Sequence, residues 1–319
     1  MENRLFVCSS PHLRDNATTQ RLMLDVIIAL LPATAAGIIF FGLRAALVIA
    51  VTVAASVLTE YLMRKGLKRE QTISDLSAAV TGLLLALNFP PSIPLWIAIV
   101  GAVVAIALIK QLFGGLGQNF MNPALGARVI LVVAWAKHMT AWTEPLVDAI
   151  ASATPLSLLK SADGGYTYSY LDMFIGKIPG CIGETSALAI LLGFLYLLIR
   201  KVISWHIPVI YTGTVAVLTW ILGPDGIFTG DPLYHVLAGG LLLGAVFMAT
   251  DYVTSPMTRK GQIIYALGCG VLTTLFRLYG NMPEGVSFAI VLMNVVTPLI
   301  DRHTIPVAFG GEKRVGQHN

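Results

Sequence analysis

We predict that this chain is an all-α integral membrane protein of about ten transmembrane helices, arranged as two inverted five-helix repeats. Three observations predict this fold. First, 56% of the 319 residues are hydrophobic and only 12% are charged, whereas about 25% of the residues in soluble domains are charged. Second, the apolar residues form long runs that are separated by charges, prolines and glycines. Third, short sequence motifs recur in the two halves of the chain.

The apolar runs predict five spans in each half of the chain. The first five are 22–41, 44–63, 75–89, 93–112 and 123–138, and the second five are 185–203, 207–223, 233–250, 261–278 and 285–301. Several are shorter than the roughly 20 residues needed to cross a bilayer, so we expect broken or tilted helices. The predicted units are an N-terminal membrane repeat (1–138), an extracytoplasmic loop (139–184), a C-terminal inverted repeat (185–301) and a cytoplasmic tail (302–319).

The placement of lysine and arginine predicts the orientation of the spans, because cytoplasmic loops are enriched in these residues. With the N-terminus in the cytoplasm, sixteen of the 21 Lys and Arg residues fall on the cytoplasmic side and five fall outside. The opposite threading would reverse this excess. We therefore expect both termini to be cytoplasmic and loop 139–184 to face the outside.

Similar motifs in the two halves predict the internal repeat. Gly82-Leu-Leu-Leu85 lies in the third span and Gly240-Leu-Leu-Leu243 in the eighth. The third span then breaks at Asn88-Phe-Pro-Pro91, and the eighth ends at Asp251-Tyr-Val-Thr-Ser-Pro256. Five spans per repeat is an odd number, so the second repeat must be inverted, and inverted repeats place functional sites at broken helices. The alternative is a chance similarity between Leu-rich helices.

Several classes of function are excluded by the same residues. The formal charge of +4 comes from residues in short loops between apolar runs, so nucleic acid is not an expected partner. Cys8, Cys181 and Cys269 lie far apart, so no metal site is predicted. Gly114-Gly-Leu-Gly117 follows a membrane helix and not a strand, so it does not predict a dinucleotide site. No catalytic side chain is predicted.

The outer loop contains the segment Asp148-Ala-Ile-Ala-Ser-Ala-Thr-Pro-Leu156. Small residues flank the Thr154 hydroxyl, and Pro155 favours an extended backbone at Thr154. A modifying enzyme could draw such a hydroxyl into its own active site without unfolding a helix. The alternative is a turn rich in Ser, Thr and Ala at the end of a helix, which composition alone favours.

This segment resembles Asp-x-x-(Ser/Thr)-Gly-Ala-Thr, the signature at which flavin transferases esterify FMN to threonine. Asp148, Ala153 and Thr154 match the signature, whereas Ala151 and Ser152 stand where Ser or Thr and Gly are usual. The two departures weaken the motif in isolation, but they leave Thr154 as the acceptor.

Four further segments occur along the chain in a characteristic order: Ser10-Pro-His-Leu-Arg14, Gly114-Gly-Leu-Gly-Gln-Asn-Phe-Met-Asn-Pro123, Asp251-Tyr-Val-Thr-Ser-Pro256 and Pro283-Glu-Gly-Val-Ser-Phe-Ala-Ile290. With the ten-span pattern, they resemble the D subunit of the Rnf complex, the ion-translocating ferredoxin:NAD oxidoreductase. That subunit is similar to the B subunit of the sodium-pumping NADH:quinone reductase. The resemblance covers nearly the whole chain.

The resemblance implies a function, cofactors and partners. It implies covalent FMN on Thr154, allows a second, non-covalent riboflavin, and implies a membrane electron-transfer subunit of a redox-driven Na+ or H+ pump in the bacterial or archaeal plasma (inner) membrane. The implied partners are the other membrane and peripheral subunits, including a second flavin subunit on the outer face, together with a flavin transferase and the lipid bilayer. Ferredoxin and NAD would bind other subunits, so this chain is an enzyme subunit that is not catalytically complete alone.

Three further residues are candidates for the flavin site. Ser152 lies two residues before Thr154. Asn88 and Glu284 are predicted on the same side of the membrane as Thr154, so they could line a flavin pocket. For Glu284, a solvated carboxylate in a turn is the alternative.

Acidic residues in or near the spans are candidates for an ion pathway, because burying charge in lipid is costly. Asp251 follows the break in the eighth span, and Asp25 lies near the cytoplasmic end of the first. The alternative for Asp25 is a pair with a nearby basic residue. For Glu60 we expect a pair with Arg64, four residues further along the helix. Lys110 is given no role.

A stand-alone secondary transporter is the alternative function, because inverted repeats with broken helices are also a transporter architecture. The two hypotheses differ at Thr154, since a transporter has no need of a modified threonine there.

Overall fold

The structure is a computed structural model and describes residues 18–146, 152–160, 168–223, 226–280, 284–304 and 306. The predictions on Ser10–Arg14, on Asp148 and on most of the tail 302–319 lie outside these residues.

The helices of the first half are α1 (Thr19–Gly66), α2 (Ser77–Leu87), α3 (Leu95–Val103), α4 (Pro123–Ala134) and α5 (Ala136–Met139). Two short helices follow, α6 (Pro155–Leu159) and α7 (Tyr170–Ile175). The second half contains α8 (Ala187–Ile199), α9 (His206–Ile221), α10 (Pro232–Leu237), α11 (Leu241–Leu243), α12 (Arg259–Leu278) and α13 (Val286–Thr304).

Short elements complete the described fold. A 3-10 turn, Ile73–Asp75, precedes α2. Two π-helical segments, Val104–Gln111 and Gly244–Met248, extend α3 and α11. The strands β1 (Leu222–Gly223) and β2 (Gly226–Ile227) form an antiparallel pair in which Leu222 lies opposite Ile227. Helix α1 packs against α2 and α8, and α12 packs against α9 and α13.

Three described helices are long and apolar enough to cross a membrane: α1, α12 and α13. The most apolar window of α1 has a mean hydropathy of 2.4, yet only 22% of that window is buried in the protein. An apolar surface of this extent that protein does not cover is typical of a face in contact with lipid. Shorter apolar helices accompany these three: α2, Leu95–Gln111, α4, α8 and α9. The chain is therefore a helical membrane protein.

Helix α1 is interrupted at Gly42, between the first and second predicted spans. Gly42 has φ 72° and ψ −161°, a conformation that glycine adopts far more readily than residues with a side chain. A Cβ at this position would meet no atom within 4 Å. The requirement for glycine is therefore conformational, and it divides the 48-residue helix into two segments.

The end of α2 is tied to the segment that precedes α8. The backbone N–H of Gly183 donates to the Leu87 carbonyl at 2.9 Å, and that of Ile182 donates to the Phe89 carbonyl at 3.0 Å. These bonds satisfy the buried carbonyl groups of the last residue of α2 and of a residue just beyond it. A Cβ at Gly183 would lie 2.5 Å from the Leu87 Cβ, so glycine permits the close approach. The contact brings Glu184 beside the end of α2.

The predicted eighth span is broken inside its own sequence, between α10 and α11. Gly239 has φ 69° at the break. The guanidinium of the buried Arg277 donates hydrogen bonds to the carbonyl groups of His235 and Ala238, the latter at 3.0 Å. A positive side chain thus satisfies carbonyl groups at the C-terminal end of α10, where helices leave such groups unpaired.

Candidate functional site

Thr154 is the N-cap residue of the five-residue helix α6. Its backbone is extended, with φ −68° and ψ 156°, and its hydroxyl accepts a hydrogen bond from the Ser157 N–H at 3.3 Å. The extended conformation that Pro155 predicts is confirmed. The side chain is only 2% exposed, however, so the folded chain does not present the hydroxyl on its surface.

A cavity of about 470 Å³ lies beside Thr154. Its volume falls within the range of pockets that hold small organic ligands, about 300–1,000 Å³. Four parts of the chain line it: α4, the end of α5 with the residues after it, the Thr154 segment, and the start of α13 with the loop before it. The lining residues are Arg128, Val129, Val132, Met139, Thr140, Ala141, Trp142, Ser152, Ala153, Thr154, Ser157, Glu284, Ser287 and Phe288. Three of the predicted site residues, Ser152, Thr154 and Glu284, therefore share one cavity.

Arg128 on α4 is the positive charge of this cavity. One terminal nitrogen of its guanidinium donates to the Asn88 Oδ1 at 2.7 Å and to the Ser287 Oγ at 3.1 Å. The other lies 3.4 Å from the Cys181 Sγ and 3.6 Å from a Glu284 carboxylate oxygen. The side chain is buried. Burying an arginine is costly unless its donors are satisfied and its charge is paired, and these contacts meet both conditions.

A second carboxylate, that of Glu184, lies behind the first. One of its oxygens accepts from the Cys181 N–H at 2.9 Å, whereas the other is buried with no hydrogen-bond partner among the described residues. Ligand atoms of Cys181, Glu184 and Glu284 lie within 4.8 Å of one another, a spacing that a metal ion could bridge. Because the Arg128 guanidinium already contacts Cys181 and Glu284, it supplies the positive charge at this point.

Glu284 lies in the loop between α12 and α13 and faces both Thr154 and the buried charges. Desolvation by burial and the nearby Glu184 carboxylate raise the pKa of Glu284 to about 8. Arg128, the Thr154 side chain and Arg277 act in the opposite direction and lower the pKa. The expected alternative of a solvated turn carboxylate does not fit, because the side chain is only 14% exposed.

Asn88 is close to the cavity but does not line it. Its amide nitrogen donates to the Leu84 carbonyl at 2.7 Å and contacts the Met248 Sδ at 3.6 Å, while its Oδ1 accepts from Arg128. Asn88 therefore fixes the position of the Arg128 guanidinium. Its contact with Met248 joins the end of α2 to the end of the π-helical segment that extends α11.

The two predicted ion-pathway residues lie in different surroundings. The Asp25 carboxylate accepts from the Tyr196 hydroxyl at 2.9 Å and pairs with Arg200 at 3.2 Å, which matches the alternative interpretation of that residue. Asp251 lines a second, smaller cavity of about 100 Å³ together with Asn119 and Asn122. Its carboxylate accepts from the Val253 N–H and the Thr254 hydroxyl, both at 3.3 Å.

The expected pair of Glu60 with Arg64 is wrong. The Glu60 carboxylate instead pairs with Lys110 at 2.7 Å and accepts from the Thr72 hydroxyl at 2.9 Å. Arg64 donates to the Glu70 carbonyl at 2.7 Å. Lys110, which was given no role, is buried, so its charge requires a partner, and the Glu60 carboxylate supplies one.

Sequence reasoning missed the most connected residue of the site. Arg128 was counted among the cytoplasmic charges that set the orientation, but its burial shows that it is not a loop charge. The available signal was its position within the predicted span 123–138, since an ionisable residue inside a span is a functional candidate. Lys110 and Arg277 are likewise buried. When these three residues are removed from the count of Lys and Arg, the excess still lies on the predicted cytoplasmic side.

Comparison with protein families finds that residues 6–310 match the NQR2, RnfD, RnfE family. The chain is 52% identical over 315 residues to the D subunit of the Na(+)-translocating ferredoxin:NAD(+) oxidoreductase complex of Acetobacterium woodii, covering 98% of this chain and 97% of the relative. It is 49% identical over 321 residues to the D subunit of the proton-translocating ferredoxin:NAD(+) oxidoreductase complex of Clostridium ljungdahlii, with 97% of each chain covered. The D subunit of the ion-translocating oxidoreductase complex of Stutzerimonas stutzeri is 40% identical over 339 residues, with 93% of this chain and 94% of the relative covered.

Proposed function

The chain belongs to the NQR2, RnfD, RnfE family, and from this premise we propose that it is the membrane electron-transfer subunit of a redox-driven Na+- or H+-translocating ferredoxin:NAD oxidoreductase complex, with FMN esterified to Thr154. The observation that supports the cofactor is the cavity of about 470 Å³ in which Thr154, Arg128, Ser152 and Glu284 meet. Two relatives of nearly equal identity are named for different ions, so identity does not choose between Na+ and H+.

The residues present suit an FMN group. Thr154 occupies the acceptor position of the flavin-attachment signature, and its side chain lines the cavity. The Arg128 guanidinium is a fork-shaped, permanently charged donor of the type that recognises phosphate. Trp142 and Phe288 give the cavity two aromatic side chains, which suit a planar ring. When bound, FMN supplies the electron-transfer chemistry, while the protein contributes position and electrostatics.

Residues of this chain would control the environment of that group. Pro155 and the Ser157 N–H fix the backbone and the hydroxyl of Thr154 at the cavity wall. Asn88 and Ser287 accept hydrogen bonds from one terminal nitrogen of the Arg128 guanidinium, and Glu284 lies near the other. The low exposure of Thr154 keeps bulk water from the attachment point, which protects a phosphoester and strengthens the electrostatic interactions around it.

Ten spans in two inverted repeats, with both termini in the cytoplasm, remain part of this proposal. One contact supports the repeat: Asn88, after the Gly82–Leu85 motif, touches Met248, which follows the Gly240–Leu243 motif. The two matched helix ends thus meet inside the protein, as expected for broken helices at a repeat interface. The other subunits, the second flavin subunit on the outer face and a flavin transferase are the proposed partners.

The non-covalent riboflavin is proposed without an assigned site. The second cavity, which Ser77, Asn119 and Asn122 help to line, has a volume of about 100 Å³ and is too small for a three-ring flavin.

The attachment of FMN is tested by producing the full chain with and without a flavin transferase. We expect an ultraviolet-fluorescent band on a denaturing gel, and an intact mass increased by one esterified FMN, only when the transferase is present. Thr154→Val should abolish both signals. Thr140→Val is the matched control, because Thr140 lines the same cavity but its hydroxyl bonds to the Ala136 carbonyl. A bare Thr154 in the presence of an active transferase would favour the stand-alone transporter.

A further inference from the structure

Two carboxylates, one cysteine and one arginine share a buried region next to Thr154. Carboxylate oxygens of Glu184 and Glu284 and the Cys181 Sγ lie within 4.8 Å of one another, and an Arg128 guanidinium nitrogen is 3.6 Å from a Glu284 oxygen. Two negative charges at this separation, away from water, disfavour simultaneous ionisation. Arg128, the nearest positive charge, can therefore balance only one of the two carboxylates.

The two carboxylates differ in their access to water. Glu184 is buried, accepts from the Cys181 N–H, and points its second oxygen toward Gly240, where an added Cβ would lie 2.8 Å away. Glu284 is 14% exposed and lines the cavity. A proton from water can reach Glu284 through the cavity, whereas Glu184 lies behind it.

The partners of Glu284 change when an anionic group is added at Thr154. In the unmodified chain the Thr154 side chain lines the same cavity as Glu284 and lowers the pKa of its carboxyl. Esterification replaces the hydroxyl hydrogen with phosphorus, so Thr154 can no longer donate, and the phosphodiester adds one negative charge. A protonated carboxyl removes the repulsion and becomes a hydrogen-bond donor in its place.

We propose that Glu284 is the proton-binding group of the Thr154 cavity: its carboxyl holds one proton that comes from solvent, negative charge added beside Thr154 raises the pH at which this proton is released, and Arg128 remains charged and pairs with the anion. The identity of that anion rests on the proposed FMN, but the proton-binding site belongs to the chain itself. The proton ends on a Glu284 carboxylate oxygen, and no group of the chain is oxidised or reduced.

The charged and titratable groups that face Glu284 come from every element packed around it. Arg128 projects from α4, Arg277 from α12, Glu184 and Cys181 from the segment before α8, and Thr154 caps α6. Arg277 donates to the His235 and Ala238 carbonyls, so its position is fixed by the break between α10 and α11. Among the described residues that line the cavity, Arg128 is the basic one and Glu284 is the acidic one.

The proposal is tested by pH-difference infrared spectroscopy of the full chain in lipid nanodiscs, without the transferase. Wild type should show one carboxyl group that stays protonated into the alkaline range. Glu284→Gln should lose that signal. Glu144→Gln, a matched change at a separate cavity, should retain it. A signal that survives in Glu284→Gln, or is lost in Glu144→Gln, would overturn the assignment.

Adding negative charge at Thr154 tests the coupling. Chain produced with the transferase, and shown by mass to carry FMN, should titrate this carboxyl at least about one pH unit higher than unmodified chain. Thr154→Asp against Thr154→Asn adds a charge without any flavin and should shift the midpoint in the same direction. If no FMN is attached to Thr154, the proposed cofactor is rejected. The comparison of Thr154→Asp with Thr154→Asn still tests whether Glu284 is the proton-binding group. An unchanged midpoint in Thr154→Asp would contradict the proposal.

Discussion

The guanidinium of Arg128 lies 3.6 Å from the Glu284 carboxylate, and this ion pair joins α4 in the first half of the chain to the loop before α13 in the second. The same guanidinium bonds to Asn88 and Ser287, so it links α2, α4 and α13 at the wall of the Thr154 cavity. A single side chain thus connects the two halves and the candidate site.

We expect Arg128→Gln to destabilise the chain by about 3–5 kcal/mol, because it leaves two buried carboxylates without their nearest counter-charge. The double variant Arg128→Gln with Glu284→Gln should recover part of this loss, since the uncompensated charge is removed. Thermal unfolding of the purified chain in detergent, at a fixed protein concentration, measures both changes. Equal loss in the single and double variants would mean that packing, and not charge, governs the position.

We expect the same pattern of stability changes for the buried ion pair of Lys110 with Glu60, because Lys110 lines the second cavity and is also a buried charge. Lys110→Met strands a carboxylate that is almost fully buried, so we expect a loss of about 3–5 kcal/mol. Adding Glu60→Gln should restore part of the stability. Arg200→Ala is the comparison, because its partner Asp25 pairs with a side chain that is 38% exposed and screened by solvent. Its unfolding temperature should change much less.

Stability should also depend on the protonation of Glu284. Burial and Glu184 raise its pKa in the folded chain to about 8, above the ordinary value of 4.5. Between these two values the folded state binds more protons than the unfolded state, so stability falls as the pH rises. We expect the unfolding temperature of unmodified wild type to decrease from pH 5 to pH 8. Glu284→Gln should flatten this decrease, whereas Glu144→Gln should leave it intact.

The sequence predicts some parts of the site and not others for identifiable reasons. Thr154 was found because a local motif marks it, and Pro155 sets its backbone through a steric effect between neighbours. Ser152 was placed with it because it lies two residues away in the sequence, whereas Glu284 was placed with it by counting spans. Arg128 was missed because its partners, Asn88 and Ser287, lie 40 and 159 residues away, and periodicity says nothing about contacts of that range.

The fold shows the same division between local and long-range information. The interruption of α1 at Gly42 coincides with the predicted gap between two apolar runs, because glycine and a charge end both runs. The break between α10 and α11 was not predicted, since Leu241–Leu243 continue the apolar pattern and conceal it. The break depends on Arg277, which satisfies carbonyl groups from a helix 39 residues away, and on the positive φ of Gly239.

The burial of Thr154 predicts when FMN is attached. Its hydroxyl caps α6 and its side chain is only 2% exposed, so we expect a transferase to reach it only after residues 152–160 open. An opening free energy of about 1.4 kcal/mol is enough to lower the rate tenfold. We expect transferase and its flavin donor to label purified, folded chain at least about tenfold more slowly than chain labelled during synthesis.

Fluorescence on a denaturing gel, read over time, measures that difference. Ser157→Pro is a useful variant, because it removes the N–H that bonds to the Thr154 hydroxyl while a proline is tolerated in the first turn of a helix. It should speed the labelling of folded chain. Equally fast labelling of folded and nascent wild type would show that the segment opens freely.

Asp251 should affect ion transport without affecting flavin attachment. Its carboxylate lies at the second cavity and forms no salt bridge within the part of the chain that the structure describes, so its charge is available to a hard cation. Asp251→Asn keeps the shape and one acceptor oxygen but removes the charge. If that charge contributes about 1.4 kcal/mol to cation binding, transport by the assembled complex in vesicles falls about tenfold at low ion concentration.

Asp25→Asn is the control, because Asp25 is already paired with Arg200. The complex with this variant should transport ions at a rate near that of wild type. Wild-type transport by Asp251→Asn, with normal fluorescence on the gel, would exclude Asp251 from the ion pathway.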